Sequence, residues 1–205
     1  MSEKKKTRMR VPRFIDENES RGAMIGTATH QFMQFCDFDL LEKNGIDSEI
    51  TRLTDLGFLS PSVSSIVSKR AVERFIKSEL FVRLKNAKSI NRELRFNVHL
   101  NASSFTERKD EMLKNETVLV QGVIDCLYES DNGKTVLLDY KTDSVPKDMS
   151  VSDAEAMLIE RHLTQLSYYA AACKTITGKE VDSVVIYSFA LGKSIEIPHD
   201  KLIKL

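Results

Sequence analysis

Asp125, Asp139 and Lys141 are the residues of this chain whose types and spacing could do chemistry. Gly122-Val123-Ile124-Asp125 is followed, fourteen residues after its aspartate, by Asp139-Tyr140-Lys141. The segments Thr117 to Glu129 and Thr135 to Tyr140 are rich in β-branched and apolar residues and read as strands. Between them lies Asp131-Asn132-Gly133-Lys134, a strong hairpin signal. The register decides whether the aspartates can cooperate. A two-residue Asn132-Gly133 loop would set Asp125 opposite Tyr140 and Asp139 opposite Cys126, so the two acids would point to opposite faces. A three-residue loop, Asp131-Asn132-Gly133 with Gly133 left-handed, would set Asp125 directly opposite Asp139, with Lys141 on the same face. Opposed β-carbons lie roughly 4.5–5.5 Å apart. Two carboxylates that close repel unless a proton or a cation sits between them. Hard oxygen ligands of this kind suit Mg²⁺ or Mn²⁺. A lysine beside them could orient an attacking water or stabilise charge developing on a phosphate. A surface hairpin with solvated acids and a salt bridge would explain two aspartates alone. Against it, both sit inside apolar segments, Val118 to Leu127 and Val136 to Leu138, where a carboxylate needs a partner or a metal.

Four further residues stand out less. His30 follows Gly26-Thr27-Ala28-Thr29 on a helical pattern, where a lone histidine is more often packed or at the surface. Glu93, in Arg92-Glu93-Leu94-Arg95-Phe96, would ordinarily pair with an arginine. Gln165 and Tyr169 are four apart and share a helical face, different from that of Leu163, Leu166 and Ala170. An amphipathic boundary explains that pair equally well.

The elements that must position these residues can be read in order. Helices are expected over Gly26 to Asp37 and Ile46 to Leu56, the latter stopped by Gly57. Ser60-Pro61 opens a further helical stretch as cap and first helical residue, continuing with interruptions to about Ala87. Ser89 to Leu100 has strand character, Asn101 to Glu116 is a polar loop, and the hairpin follows. After a loop over Thr142 to Ser150, Ser152-x-x-Glu155 reads as a capping box. It opens a long helix ending at Gly178, with an inward stripe at Ile159, Leu163, Leu166, Ala170 and Cys173. Val181 to Ala190 and Ser194 to Ile197 close the chain as strands. Helices, then strands, one long helix and more strands predict an α/β or α+β domain with a mixed sheet.

The chain of 205 residues is long enough for one sizeable core. Its 30 basic and 30 acidic residues balance, which neither supports nor excludes a nucleic-acid partner. Residues 1–20 form a basic, flexible arm on this reading, and Met1 to Arg13 lacks the apolar run of a signal peptide. No apolar run approaches the ~20 residues of a membrane span, so no membrane partner is expected. Cys36, Cys126 and Cys173 are widely separated and odd in number, against a disulfide framework and for a reducing compartment. No GxxxxGK[ST] loop is present, so ATP is not handled by that route.

Gly26-Thr27-x-x-His30, Glu93-Leu94-x-Phe96, Gly122-x-x-Asp125, Asp139-Tyr140-Lys141-Thr142 and Gln165-x-x-x-Tyr169 together resemble, in chain order, the motif series of RecB-type nucleases of the PD-(D/E)xK superfamily. The likeness runs from about Gly22 to Ala190 and is strongest to the C-terminal nuclease domain of AddA-type helicase–nucleases. It implies a restriction-endonuclease-like α/β core, a mixed β-sheet flanked by helices, with an N-terminal helical region. Residues 21–205 would be the nuclease domain, helical over about 21–88, with the catalytic core over about 89–205. The resemblance implies that His30, Asp125, Asp139 and the Tyr140 backbone carbonyl bind Mg²⁺ or Mn²⁺ and that Lys141 is the catalytic lysine. Gln165 and Tyr169 would position DNA, and Glu93 matches a family glutamate counted among the catalytic residues. Where Arg95 stands the family often has proline, a position that is not a ligand. The implied function is 3′-to-5′ single-strand exonuclease action in bacterial double-strand break repair by homologous recombination, in the cytoplasm. The implied partners are DNA, an N-terminal helicase part of the same polypeptide and an AddB-type protein. Two competitors remain. One is a free-standing RecB-like or Cas4-like nuclease, although the scattered cysteines give no reason to expect an iron–sulfur cluster. The other is an inactive DNA-binding or scaffold module, which would typically have lost an acid or the lysine.

Overall fold

The computed structural model describes residues 17–102 and 116–203. All but the end of the expected basic arm, and most of the expected loop over Asn101 to Glu116, lie outside the described residues.

Helix α1 (Glu17–Phe35) starts earlier than its apolar pattern suggested. A short helix, α2 (Phe38–Asn44), escaped the sequence reading because seven residues carry too little periodicity; the Asp37 side chain caps it by accepting from the N–H groups of Asp39 and Leu40 at 2.9 and 3.0 Å. Helices α3 (Ile46–Asp55) and α4 (Pro61–Ser64) follow, the latter with Ser60 as cap and Pro61 first, as predicted. Helices α5 (Lys69–Ile76) and α6 (Glu79–Lys85) complete the region.

Among the described residues five strands form one sheet in the order β1 (Ser89–Asn101), β2 (Thr117–Glu129), β3 (Thr135–Lys141), β4 (Ser183–Ser188), β5 (Lys193–Ile197). Only β3 and β4 are parallel, and the helix α7 (Val151–Thr177) supplies the crossover that a parallel pair requires. The mixed α/β architecture expected from the element order is the one the chain adopts. Helices α1–α6 cover one face, around Phe32, Leu53, Phe75 and Phe81 with Tyr140 and Tyr187 from the sheet. Helix α7 covers the other, packing Leu158, Leu166 and Cys173 against Ile124, Leu137, Val184 and Ile186. Covered on both faces, β3 and β4 read as nearly continuous apolar runs rather than alternating ones.

Two details of α7 differ from the sequence reading. Its cap is Ser150, not Ser152: the hydroxyl accepts from the Asp153 N–H at 3.1 Å and lies 2.7 Å from the Asp153 carboxylate, so the box is Ser150–Asp153. Of the expected stripe, Leu166 and Cys173 are fully buried, whereas Ile159, Leu163 and Ala170 lie at its margin. Ala154 and Ala172, too weakly apolar to stand out in the sequence, are fully buried instead.

Candidate active site

The hairpin adopts the three-residue loop. Ser130 N–H donates to Lys134 O at 2.9 Å, Gly133 is left-handed at φ 82°, and the ladder pairs Glu129 with Thr135 through Cys126 with Leu138. The next step in that register sets Asp125 level with Asp139. There the strands part, because the β2–β3 ladder ends while β2 continues paired to β1. The candidate site lies in this fork.

A second irregularity occurs at the same level on β1. Arg92 pairs with Cys126 and Leu94 with Ile124, leaving Glu93 facing Asp125 without a ladder pair. Glu93 has φ 51°, the one non-glycine among the described residues with positive φ. Such a conformation costs of order 1–3 kcal/mol and persists where its surroundings impose it. Both strands change faces here. Ile90, Cys126 and Tyr128 pack under α1–α6, whereas Leu94, Phe96 and Ile124 pack under α7. Strict alternation would keep each of these even-numbered sets on one side. The break frees Asp125 from both cores and leaves it at the mouth of the fork.

Side chains from five elements converge there. From α1, His30 Nδ1 lies 3.4 Å from Asp125 Oδ2, and the same oxygen accepts the Tyr140 backbone N–H at 2.8 Å. Helix α1 can approach because Gly26 is buried against the end of β3; a β-carbon there would meet Thr142 Oγ1 at 2.5 Å. On β3, Asp139 is 2% exposed and Lys141 Nζ lies 2.7 Å from its Oδ2 as an ion pair. The lysine also donates to Gln165 Oε1 at 2.9 Å, and Gln165 Nε2 donates to the Tyr169 hydroxyl at 2.9 Å. Tyr169 stands edge-on to Phe96 over Gly122, where a β-carbon would come within 2.6 Å of the Phe96 ring and 3.1 Å of the Tyr169 ring. The Tyr140 ring points into the core, edge to Phe75, so this residue offers the fork its backbone.

The electrostatics are those of acids crowded away from water. Burial, then the nearby Asp125 charge, push the Asp139 carboxyl up to about 6 against the pull of Lys141. Burial and Asp125 likewise raise Glu93, opposed by His30 and Arg95. For His30, burial pulls its basicity down, but the Asp125 bond and the charges of Asp125 and Asp139 outweigh it and raise it. As they stand, the described residues hold no ready-made group of three His, Cys, Asp or Glu side chains around one point. Asp125 is engaged by His30 and the Tyr140 N–H, and Asp139 by Lys141, as mutually repelling carboxylates should be. One sign nevertheless fits a cation: Asp139 is buried beside the Asp125 charge, which helps raise its carboxyl, with the Lys141 ammonium 2.7 Å from its Oδ2 as counter-charge. Two carboxylates, an imidazole and backbone oxygen compose a donor set that divalent cations accept.

The fork thus gathers His30, Glu93, Asp125, Asp139, Lys141, Gln165 and Tyr169, every side chain singled out from the sequence. The sequence reading passed over Asp143, two residues beyond Lys141, which Arg161 and His162 of α7 contact at 2.8 and 3.1 Å. No pattern links residues 18 and 19 apart in sequence; only the crossover brings them together.

Known proteins resemble this chain along nearly all of its length. A profile of the PD-(D/E)XK nuclease superfamily matches residues 5–198. The chain is 35% identical over 196 residues to an ATP-dependent helicase/nuclease protein of Clostridium botulinum (strain Okra / Type B1), covering 94% of this chain and 15% of that protein. It is 34% identical over 187 residues to the protein of the same name from Acetivibrio thermocellus, covering 90% of this chain and 14% of the relative. The chain therefore spans about one seventh of the length of these relatives. With a matching profile along nearly all its length and the acids and lysine in one fork, the chain belongs to the PD-(D/E)XK nuclease superfamily.

Proposed function

We propose that this chain is a metal-dependent nuclease module that hydrolyses phosphodiester bonds of DNA, its site formed by Asp125, Asp139, Lys141 and Glu93 with His30. The observation that carries the reading is the Asp139 carboxylate, buried in the fork beside Asp125 with the Lys141 ammonium 2.7 Å from its Oδ2. Asp125 and Asp139 would hold Mg²⁺ or Mn²⁺, with His30 and the Tyr140 carbonyl completing the site. Such a cation, when bound, supplies charge against the phosphate oxygens and lowers the pKa of a coordinated water. Lys141 keeps its ammonium between Asp139 and Gln165, where it can hold the attacking water or meet charge developing on the phosphate. Gln165 and Tyr169, bonded to each other on the open face of α7, would position the DNA strand. Glu93, held in a strained conformation facing Asp125, adds negative charge at the mouth of the fork.

The relatives are named for helicase and nuclease together. On that likeness we read the chain, with helices over about 21–88 and catalytic core over about 89–205, as the nuclease module of a longer AddA-type polypeptide. A helicase part would feed it single-stranded DNA, and an AddB-type protein would be its partner, in double-strand break repair in the bacterial cytoplasm. Free, buried Cys36, Cys126 and Cys173 suit a reducing compartment. No helix among the described residues is long and apolar enough to cross a membrane.

The test is cleavage of single-stranded DNA labelled at either its 5′ or its 3′ end, with Mg²⁺, Mn²⁺ or EDTA. A 3′-to-5′ exonuclease releases the 3′ label first as mononucleotide and shortens the 5′-labelled strand progressively. Internal cuts from the outset would make it an endonuclease, and no metal-dependent cutting would leave an inactive binding module.

A further inference from the structure

We propose that Arg161 is a phosphate-binding residue for the DNA strand beside the scissile position, held ready by Asp143 and His162; this rests on the reading of the chain as a DNA-acting protein. Arg161, Gln165 and Tyr169 recur at four-residue intervals and therefore form one line along α7. Each step advances about 6 Å along the helix axis. Gln165 reaches Lys141, so Arg161 stands one turn along α7 from the candidate chemistry.

Asp143 explains why this arginine is poised rather than spent. The carboxylate divides its oxygens, Oδ1 accepting from Arg161 Nη1 at 2.8 Å and Oδ2 lying 3.1 Å from His162 Nε2. A bidentate carboxylate would have closed the guanidinium fork. Here one nitrogen is fixed, while Nη2 makes only a 3.9 Å contact with Met157 Sδ. The arginine side chain is 48% exposed, whereas those of His162 and Asp143 are 15% and 20% exposed. Burial pushes the Asp143 carboxyl up, but its bonds to Arg161 and His162 outweigh this and hold it below the usual range, so it stays charged. Burial and Lys141 pull His162 below its ordinary value despite Asp143. A neutral imidazole with Nε2–H directed at Asp143 gives the acid a second donor without adding charge. Arg161 is thus a planar donor fork aimed by a fixed acid, the geometry that suits a phosphate oxygen pair. Asp143 and His162 are positioning residues.

The test is fluorescence anisotropy of a labelled oligothymidylate binding to this chain in Ca²⁺, over salt from about 50 to 200 mM. Arg161→Ala is expected to weaken binding about five- to tenfold and to lower the salt slope by about 0.7. Arg161→Lys restores the slope but not the full affinity, and Asp143→Asn and His162→Gln give smaller losses with the slope unchanged. In cleavage, Arg161→Ala raises KM and leaves kcat within about twofold. Unchanged affinity and slope in a folded Arg161→Ala protein would overturn the proposal, as would a wild-type chain that binds no DNA. A wild-type chain that binds DNA through Arg161 without cutting it would uphold the proposal and sink the nuclease reading.

Discussion

At the residue scale, the site stores unfavourable electrostatics. Asp139 ionises inside the protein beside Asp125, and its carboxyl is raised from 3.8 to about 6. An acid whose folded pKa is raised favours folding only while protonated. Its contribution is complete below about pH 4 and is lost as pH rises through about 6. Without metal, Asp139→Asn is therefore expected to stabilise the protein above pH 6, by on the order of 2 kcal/mol. In thermal unfolding with EDTA at pH 8, that is a rise in Tm of about 4–8 °C, shrinking towards zero by pH 4. A lower Tm for the variant at pH 8 would mean that the Lys141 ion pair outweighs repulsion and burial. The three central residues were legible from their types because charged residues inside apolar strands need an explanation. Glu93 was legible as an acid but not as a left-handed residue, since nothing in its side chain favours positive φ.

At the element scale, the hairpin turn is the device that makes the site. Asp131-Asn132-Gly133 sets the register, and a one-residue slip would separate Asp125 from Asp139. Turn chemistry narrowed the sequence to two registers, and the structure selects the three-residue one. The change of strand face at Glu93 and Asp125 was not legible, because it comes from packing β1 and β2 under helices on different sides. Gly122 marks how closely α7 meets the sheet beyond that break. Gly122→Ala must displace the Phe96 and Tyr169 rings and is expected to cost about 1–3 kcal/mol. Urea unfolding would show this as a lower midpoint with an unchanged m value. Activity of the folded variant should fall further than stability explains, because Tyr169 moves with its Gln165 partner; full activity would show that Tyr169 placement is immaterial to cutting.

At the scale of the whole molecule, chemistry is assembled between two layers that fold around one sheet. Arg92 of β1 ties the α1–α6 layer to the sheet. Its Nη1 donates to the carbonyls of Met33, Gln34 and Cys36 at 3.2, 3.4 and 2.6 Å, closing the end of α1, and its guanidinium lies 4.0 Å above the Phe38 ring. The same helix carries His30 to Asp125. Arg92→Ala is expected to cost about 2–4 kcal/mol in chemical unfolding, with Arg92→Lys recovering only part; a loss below about 0.5 kcal/mol would show that the clamp is dispensable. This tie was invisible in the sequence, where Arg92 was one charge among many in a strand. The mixed sheet and the helix-first order were visible from element order alone, whereas α2 was too short to announce itself. The proposed function makes the fork between β2 and β3 the place where DNA would be cut, with a divalent cation held by Asp125 and Asp139. The most direct measurement compares wild type with Asp139→Asn on end-labelled single-stranded DNA in Mn²⁺ at pH 8, with unfolding of both proteins recorded in parallel. The expected result is metal-dependent cutting by wild type and a loss of about a hundred- to a thousandfold in the variant, although in EDTA the variant is the more stable protein. Cutting that persists in a folded Asp139→Asn protein would contradict the claim and place the chemistry elsewhere.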